Sequence, residues 1–148
     1  SSRHPNANWH TECVAHIQNA RDIVLQRVGN GQIYKTPDEK LMLLCTISKW
    51  YQDENKYWFS IFPHQIKELK PHLNSFFAFG CGGVDQIFLV PASIIIERLD
   101  ELSKSNPDDK DAYWHIRIFS DGDNNDGDLD GPCRIDRIPG ISLEDYRI

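Results

Sequence analysis

The sequence predicts a single α+β domain with a mixed central β-sheet. Three observations lead to this fold class. An amphipathic helical pattern opens the chain, short runs rich in β-branched and aromatic residues follow it, and a second helical pattern comes after Pro91. These elements predict a sheet that is flanked by an N-terminal helix and by a second long helix.

The size and composition favour one ordinary globular unit. The chain has 148 residues, of which 40% are hydrophobic and 26% charged, so one domain is expected to bury about two thirds of its unfolded surface. We expect residues 1–10 to form a flexible tail and residues 11–148 the domain. No apolar run approaches the roughly 20 residues that span a bilayer, and SSRHPNANWH lacks the apolar core of a signal peptide. Four scattered cysteines favour reduced thiols, so we expect a cytoplasmic protein without a membrane partner.

The first predicted helix covers residues 11–28. Thr11 is expected to cap its N-terminus, and the glycines at positions 29 and 31 to end it. Apolar residues recur there at spacings of three, four and seven, which places them on one helical face. These residues are Val14, Ile17, Val24, Leu25 and Val28.

Strands are predicted on both sides of a short helix that starts at Pro63. The run at 41–49 is apolar on both faces, which is typical of a central strand. The other predicted strands cover residues 32–36, 57–62, 75–79, 86–90 and 113–119, the last with clear alternation. Between these last two, apolar residues at helical spacing predict the long helix over residues 92–104.

Charged residues at the two ends of the strand at 41–49 suggest metal-dependent hydrolysis. Asp38 and Glu39 precede this strand, and Lys49 closes it. Carboxylates hold Mg²⁺ through oxygen ligands, and a nearby lysine stabilises charge or orients the attacking water. The alternative is that Asp38 is a turn residue and Lys49 a solvated charge at a strand end.

At these residues the chain resembles the PD-(D/E)XK nuclease superfamily. Pro37-Asp38 resembles the first half of that motif, and Ile47-Ser48-Lys49 falls where its second half belongs. The resemblance covers roughly residues 12–97. It implies a restriction-endonuclease-like core that cleaves the phosphodiester bonds of DNA with Mg²⁺.

One position departs from this motif. Ile47 stands where the second metal-binding acid is expected, and an aliphatic side chain cannot ligate a metal. Either another acid takes its place, for which Glu12, Glu39 and Asp85 are the candidates, or the domain has lost catalysis.

Aromatic residues beside basic ones suggest a nucleic-acid contact surface. An exposed aromatic ring next to a lysine or arginine can stack on a base. The predicted contact residues are Trp50, Tyr51, Lys56 and Arg117. Trp58 and Trp114 are assigned to the core.

A cluster of aspartates suggests a calcium loop. Asp126, Asp128 and Asp130 alternate and are followed by Gly131, as in the start of an EF-hand-like loop. Arg137 stands where the bidentate glutamate belongs, and Asp136 is the residue that would compensate. The alternative is a solvated acidic hairpin loop.

The net charge does not identify the binding partner. The net charge is −6, but removing the five aspartates between positions 121 and 130 leaves about −1, so a local basic groove is compatible with the rest. The leading hypothesis is a nuclease-like domain that processes or binds DNA. The alternatives are a non-catalytic interaction module with an aromatic contact surface, and a calcium-binding domain.

Overall fold

The computed structural model describes residues 3–72, 74–106 and 108–148. It is an α+β fold with mixed strand pairing and an N-terminal helix, which confirms the predicted fold class. The helices are α1 (Trp9–Arg21), α2 (Pro63–Leu69) and α3 (Ala92–Ile96). Within the described ranges no helix is both long enough and apolar enough to cross a membrane.

The first sheet contains the predicted central strand. Its strands are β1 (Gln26–Arg27), β2 (Ile33–Lys35), β3 (Met42–Ser48), β6 (Ser75–Cys81) and β7 (Ile87–Pro91), in the order β1-β2-β3-β6-β7. The pairing of β3 with β6 is parallel and the other pairings are antiparallel, so the sheet is mixed. A parallel pair needs a long crossover, and here the crossover includes two strands of a second sheet and α2.

The second sheet is antiparallel and was not predicted as a separate unit. It consists of β4 (Trp50–Tyr51), β5 (Lys56–Ile61), β8 (Lys104–Ser105), β9 (Tyr113–Ser120) and β10 (Cys133–Ile135). The strand order is β10-β9-β5-β4, and β8 also pairs with β9. The chain therefore passes from the first sheet to the second at Lys49, between β3 and β4.

The core forms two layers, one on each face of the first sheet. On one face α1 packs against alternate strand residues, including Leu43 and Cys45 of β3. On the other face Leu44 belongs to a larger cluster that also holds Phe59 of β5 and Ile116 of β9. The layers are therefore helix, first sheet and second sheet. Burial on both faces explains why the β3 sequence is apolar throughout.

Both predicted long helices are shorter than the sequence pattern indicated. α1 starts at Trp9, two residues before the predicted cap, and ends at Arg21 rather than Val28. Asp22 adopts the left-handed conformation (φ 54°), and its amide donates to the Gln18 carbonyl. Aspartate tolerates this conformation better than most residues, so the chain turns there.

The predicted extent of the second long helix is wrong. α3 contains five residues, and a 3₁₀ turn at Leu99–Glu101 follows it. A run of β-branched isoleucines has only modest helix propensity. The predicted end of that helix instead pairs as a strand, because Ser103 accepts a hydrogen bond from the His115 amide and Lys104 lies opposite Trp114.

The N-terminal segment predicted as a tail makes specific contacts from Arg3 onward. The Arg3 carbonyl accepts a hydrogen bond from the Trp50 amide, and its guanidinium lies 2.8 Å from Asp85 and 2.6 Å from Asp128. Residues 1 and 2 lie outside the described residues. All four cysteines are buried as free thiols.

Candidate functional site

The residues predicted to be catalytic do not converge. Asp38 lies in the turn before β3, and Lys49 follows the last residue of that strand. A strand of seven residues spans about 23 Å, so the carboxylate and the ammonium lie at opposite ends of one strand. Because Asp38 and Lys49 flank the two ends of one strand, this arrangement does not support the prediction that they share a site.

Asp38 and Glu39 have local structural partners. The Asp38 carboxylate accepts hydrogen bonds from the Thr36 hydroxyl at 2.7 Å and the Lys40 amide at 3.0 Å, and these bonds lower its pKa. Glu39 is in the left-handed region and pairs with Lys35 at 2.5 Å, which lowers its pKa as well. Such bonds are those of an Asx-type turn, which agrees with the alternative interpretation of Asp38.

Among the described residues, neither of the other two candidate acids forms an ion pair with Lys49. Glu12 is exposed in the first turn of α1. Asp85 lies in the turn after β6, where hydrogen bonds from Arg3 lower its pKa. Lys49 itself lies with its ammonium 5.0 Å from the centre of the Tyr51 ring, so its nearest described partner is an aromatic face rather than a carboxylate.

The aspartate loop is organised by uncharged core groups and by arginine. The Gly127 carbonyl accepts hydrogen bonds from the Tyr57 hydroxyl at 2.7 Å and the Gln86 amide at 3.1 Å. The Leu129 amide donates to Gln86 at 2.8 Å, and Asp128 pairs with Arg3. These bonds hold the loop against β5, the residue before β7 and Arg3.

The predicted calcium ligands point to no shared centre. Asp126, Asp130 and Asp136 are exposed, and across the described parts of the chain no three histidine, cysteine or carboxylate side chains are grouped so that they could hold a metal ion. The magnesium and calcium hypotheses stay predictions. A calcium titration tests the second one, since a cation that binds the native state raises the melting temperature.

Three of the four predicted nucleic-acid contacts lie on one surface, the outer side of the second sheet. Tyr51 on β4 lies opposite Lys56 on β5, and Trp58 on β5 lies opposite Arg117 on β9. Side chains alternate between the faces of a strand. These four therefore share the side that faces away from the first sheet, and all four are half-buried.

Trp50 is the exception, and its prediction is corrected. Its side chain is only 2% exposed and packs on Tyr57 with the ring centres 4.9 Å apart. Its indole N–H donates to the Gln52 side chain at 2.9 Å. Trp50 and Tyr51 are neighbours on one strand and must point to opposite faces, so only Tyr51 can meet a ligand.

Trp58 was assigned to the core and instead belongs to the outer surface. Its ring centre lies 6.1 Å from that of Tyr51, 6.4 Å from Tyr113 and 5.6 Å from His115. Neither core cluster includes it. We call the set Tyr51, Trp58, Tyr113, His115 and Arg117 the aromatic face. Trp58 lies on the same side of β5 as Lys56 and Ser60, because alternate residues of a strand share a face. These two polar neighbours are the sequence signal that Trp58 is on the outer side.

A hydrogen-bond chain fixes the orientation of Trp58. Its indole N–H, which can only donate, lies 2.8 Å from Nδ1 of His115. Nδ1 therefore accepts, and the proton of the neutral ring is on Nε2, which donates to the Ser105 hydroxyl at 2.5 Å. Burial and the nearby Arg117 lower the pKa of His115. The neutral imidazole that this chain requires is thus the favoured form.

Shallow depressions adjoin the aromatic face. One of about 280 Å³ is lined by Tyr51, Glu54, Trp58, His115 and Arg117. A second of about 420 Å³ is also lined by Tyr51, together with Lys49, Asp53 and Glu54. A third of about 410 Å³ also includes Lys49, Tyr51 and Trp58 in its lining. Tyr51 thus lies between openings that carry both aromatic and cationic groups.

Comparisons of the chain with models of known protein families, with curated proteins and with solved structures found no match.

Proposed function

We propose that this chain is a binding domain for single-stranded nucleic acid, which it holds on the aromatic face. The observation that supports this most is the position of Tyr51 and Trp58 beside Lys49, Lys56 and Arg117 on the open side of an antiparallel sheet. One face of such a sheet is usually solvated and polar. Clustered aromatic rings on that face are the unusual feature, and stacking on bases accounts for them.

The two types of side chain supply different parts of the binding energy. Each base that stacks on an aromatic ring contributes about 1–3 kcal/mol, whatever its sequence. The Lys49 ammonium lies 5.0 Å from the centre of the Tyr51 ring, and Lys56 lies opposite Tyr51 on the neighbouring strand. Both lysines can contact the phosphates between stacked bases. A duplex hides the faces of its bases, so this arrangement favours single strands.

The net charge of −6 is compatible with this proposal because it belongs to the whole chain and does not fix the charge of one face. Asp128 pairs with Arg3, and Asp121 pairs with Arg134 at 2.6 Å. Arg117 of the aromatic face, in contrast, forms no ion pair with a described carboxylate. A local cationic surface on an acidic protein is enough for phosphate contacts over a Debye length of about 8–10 Å.

We favour binding over cleavage because Asp38 and Lys49 lie at opposite ends of β3. The resemblance to PD-(D/E)XK nucleases would make the chain a degenerate member of that superfamily that retains DNA as its ligand. A magnesium-dependent cleavage assay addresses the catalytic hypothesis directly.

Fluorescence anisotropy with labelled single-stranded DNA and RNA tests the proposal. We expect binding that weakens with salt, with a slope of about −1.4 in a double-logarithmic plot for two phosphate contacts. Tyr51→Ala should weaken binding about tenfold. Lys49→Gln should weaken it severalfold, whereas Lys67→Gln on α2, an exposed lysine on another surface, serves as the matched control. Wild-type protein that binds neither strand at low salt would refute the proposal.

A further inference from the structure

One carboxylate lies among the groups that would contact the nucleic acid. Glu54 lines the depression of about 280 Å³ together with Tyr51, Trp58, His115 and Arg117. It belongs to the β4–β5 turn, where its amide donates to the Tyr51 carbonyl at 3.1 Å. Within the described residues its carboxylate forms no hydrogen bond or ion pair. A carboxylate repels phosphate, so a ligand group that contacts Glu54 has to donate hydrogen bonds.

We infer that this depression is a subsite for one guanine base, an inference that rests on the proposed binding of single strands. An ionised carboxylate only accepts hydrogen bonds, through two oxygens side by side. The Watson–Crick edge of guanine presents two adjacent donors, N1–H and the N2 amino group. Adenine and cytosine place an acceptor next to their amino group, and thymine places its single N–H between two carbonyls, so only guanine matches Glu54 with two bonds.

Arg117 complements Glu54 from the same lining. Its guanidinium is donor-only, and arginine bound to guanine O6 and N7 is the commonest specific contact between proteins and bases. Adenine carries an amino group where guanine has O6, so it would place donor against donor at Arg117. Glu54 thus selects guanine by accepting hydrogen bonds, and Arg117 selects it by donating them. Together they attract guanine and reject adenine.

The two aromatic rings of the lining lie nearly perpendicular to each other, so a base can stack on only one of them. Tyr51 and Trp58 meet edge to face, with an angle of 84° between their planes. Trp58 is held by its bond to His115, so little rotamer freedom is lost on binding. The volume of about 280 Å³ lies just below the roughly 300–1,000 Å³ of ligand pockets, which suits one base rather than a larger ligand.

A short oligothymidylate with one central guanosine, compared with the unsubstituted oligothymidylate, tests this subsite. We expect the guanosine to tighten binding to the wild-type protein about five- to tenfold. Deoxyinosine at the same position lacks only the N2 amino group and should lose most of this preference. Glu54→Gln should reduce the preference to below about twofold, because the amide keeps the shape but presents only one acceptor.

The neighbouring acid provides the matched control. Asp53→Asn removes the same charge from the same exposed turn, and it lies outside the lining of this depression. We expect this variant to retain the guanosine preference. Equal loss in both variants would overturn the inference and indicate a general charge effect, as would a preference that survives Glu54→Gln.

The outcomes separate the subsite from the function on which it rests. If the wild-type protein binds the oligothymidylate but gains nothing from guanosine, the subsite is refuted and single-strand binding stands. If neither oligonucleotide binds, the proposed function fails and the subsite fails with it. Melting temperatures of both variants, measured by circular dichroism, confirm that the turn residues did not unfold the protein.

Discussion

The two faces of the second sheet have opposite characters although the same strands build them. On the inner face Phe59 and Ile116 are buried in the main core, while on the outer face their neighbours Trp58 and Arg117 are half-buried and belong to neither core cluster. An aromatic side chain on the inner face is explained by burial alone. One on the outer face gains less from burial, and this is why we propose a role in recognition for it.

The largest expected effect is the loss of stability on truncation of the inner face. Phe59→Ala should cost about 3–5 kcal/mol of unfolding free energy, because Phe59 is 2% exposed and packs against Phe79 with ring centres 5.0 Å apart. Trp58→Ala on the same strand should cost about 1–2 kcal/mol, from one hydrogen bond and edge contacts. Urea denaturation of both variants measures the difference.

Equal losses of unfolding free energy for Phe59→Ala and Trp58→Ala would contradict the difference between the two faces. So would a Trp58→Ala variant that binds single-stranded DNA as well as the wild type does. The first result would assign Trp58 to the core, and the second would leave the outer aromatics without a function.

A second effect concerns the buried glutamine that holds the aspartate loop. The Gln86 side chain donates to the Cys81 and Gly127 carbonyls and accepts from the Leu129 amide. Gln86→Met keeps the volume but leaves the Cys81 carbonyl and the Leu129 amide without these bonds, while the Gly127 carbonyl keeps its bond from Tyr57. We therefore expect a loss of about 2–3 kcal/mol. Faster hydrogen exchange at the Leu129 amide would locate the loss in the loop.

Gln65→Met is the control for that variant. Gln65 is also buried, but its side chain is bonded only to the Phe62 amide among the described contacts, so about 1 kcal/mol should be lost. If Gln86→Met cost as little unfolding free energy as Gln65→Met, the aspartate loop would not depend on the hydrogen bonds of Gln86.

The pH dependence of stability separates the two faces further. The pKa of His115 in the folded protein lies below its unfolded value near 6.5, so the unfolded chain takes up this proton more readily. The corresponding stability is complete above about pH 6.5 and is lost as the pH falls through the folded pKa. Protonation of Nδ1 would also break the bond from Trp58, and Arg117 beside it opposes the positive charge.

His115→Gln tests this dependence. A glutamine carries an acceptor and a donor that can replace the bonds to Trp58 and Ser105, but it does not titrate. Melting temperatures between about pH 7.5 and 5.5 should fall more steeply for the wild type than for the variant. Parallel curves would show that the outer face is not the origin of the pH dependence in this range.

The fold class follows from local patterns, and the division into two sheets does not. The both-sided apolar run predicts β3 as a central strand, and the alternation in β9 predicts its half-buried character. The pairing of β5 with β9, however, joins residues such as Trp58 and Arg117 that are far apart in the chain. Such long-range choices depend on which faces cover each other, and periodicity does not encode that.

The candidate site was predicted in part for the same reason. Tyr51, Lys56 and Arg117 were identified from residue type, and they share one surface. The sequence places Trp50 on the contact surface and Trp58 in the core, and the structure shows the reverse. Alternation tells which residues share a face but not which face is covered. The structure does not bring Asp38 and Lys49 together, because the strand between them separates the two residues by more than about 20 Å.

The smallest expected effect is that of the acids at the far end of β3. Asp38→Asn and Glu39→Gln should leave binding of single-stranded DNA within about twofold of the wild type, because both residues are engaged in the turn before β3. Anisotropy with and without Mg²⁺ measures this, with Tyr51→Ala as the variant that should lose binding. Magnesium-dependent cleavage that Asp38→Asn abolishes without affecting binding would instead restore the catalytic hypothesis, and it would assign chemistry to a part of the molecule that is distant from the aromatic face.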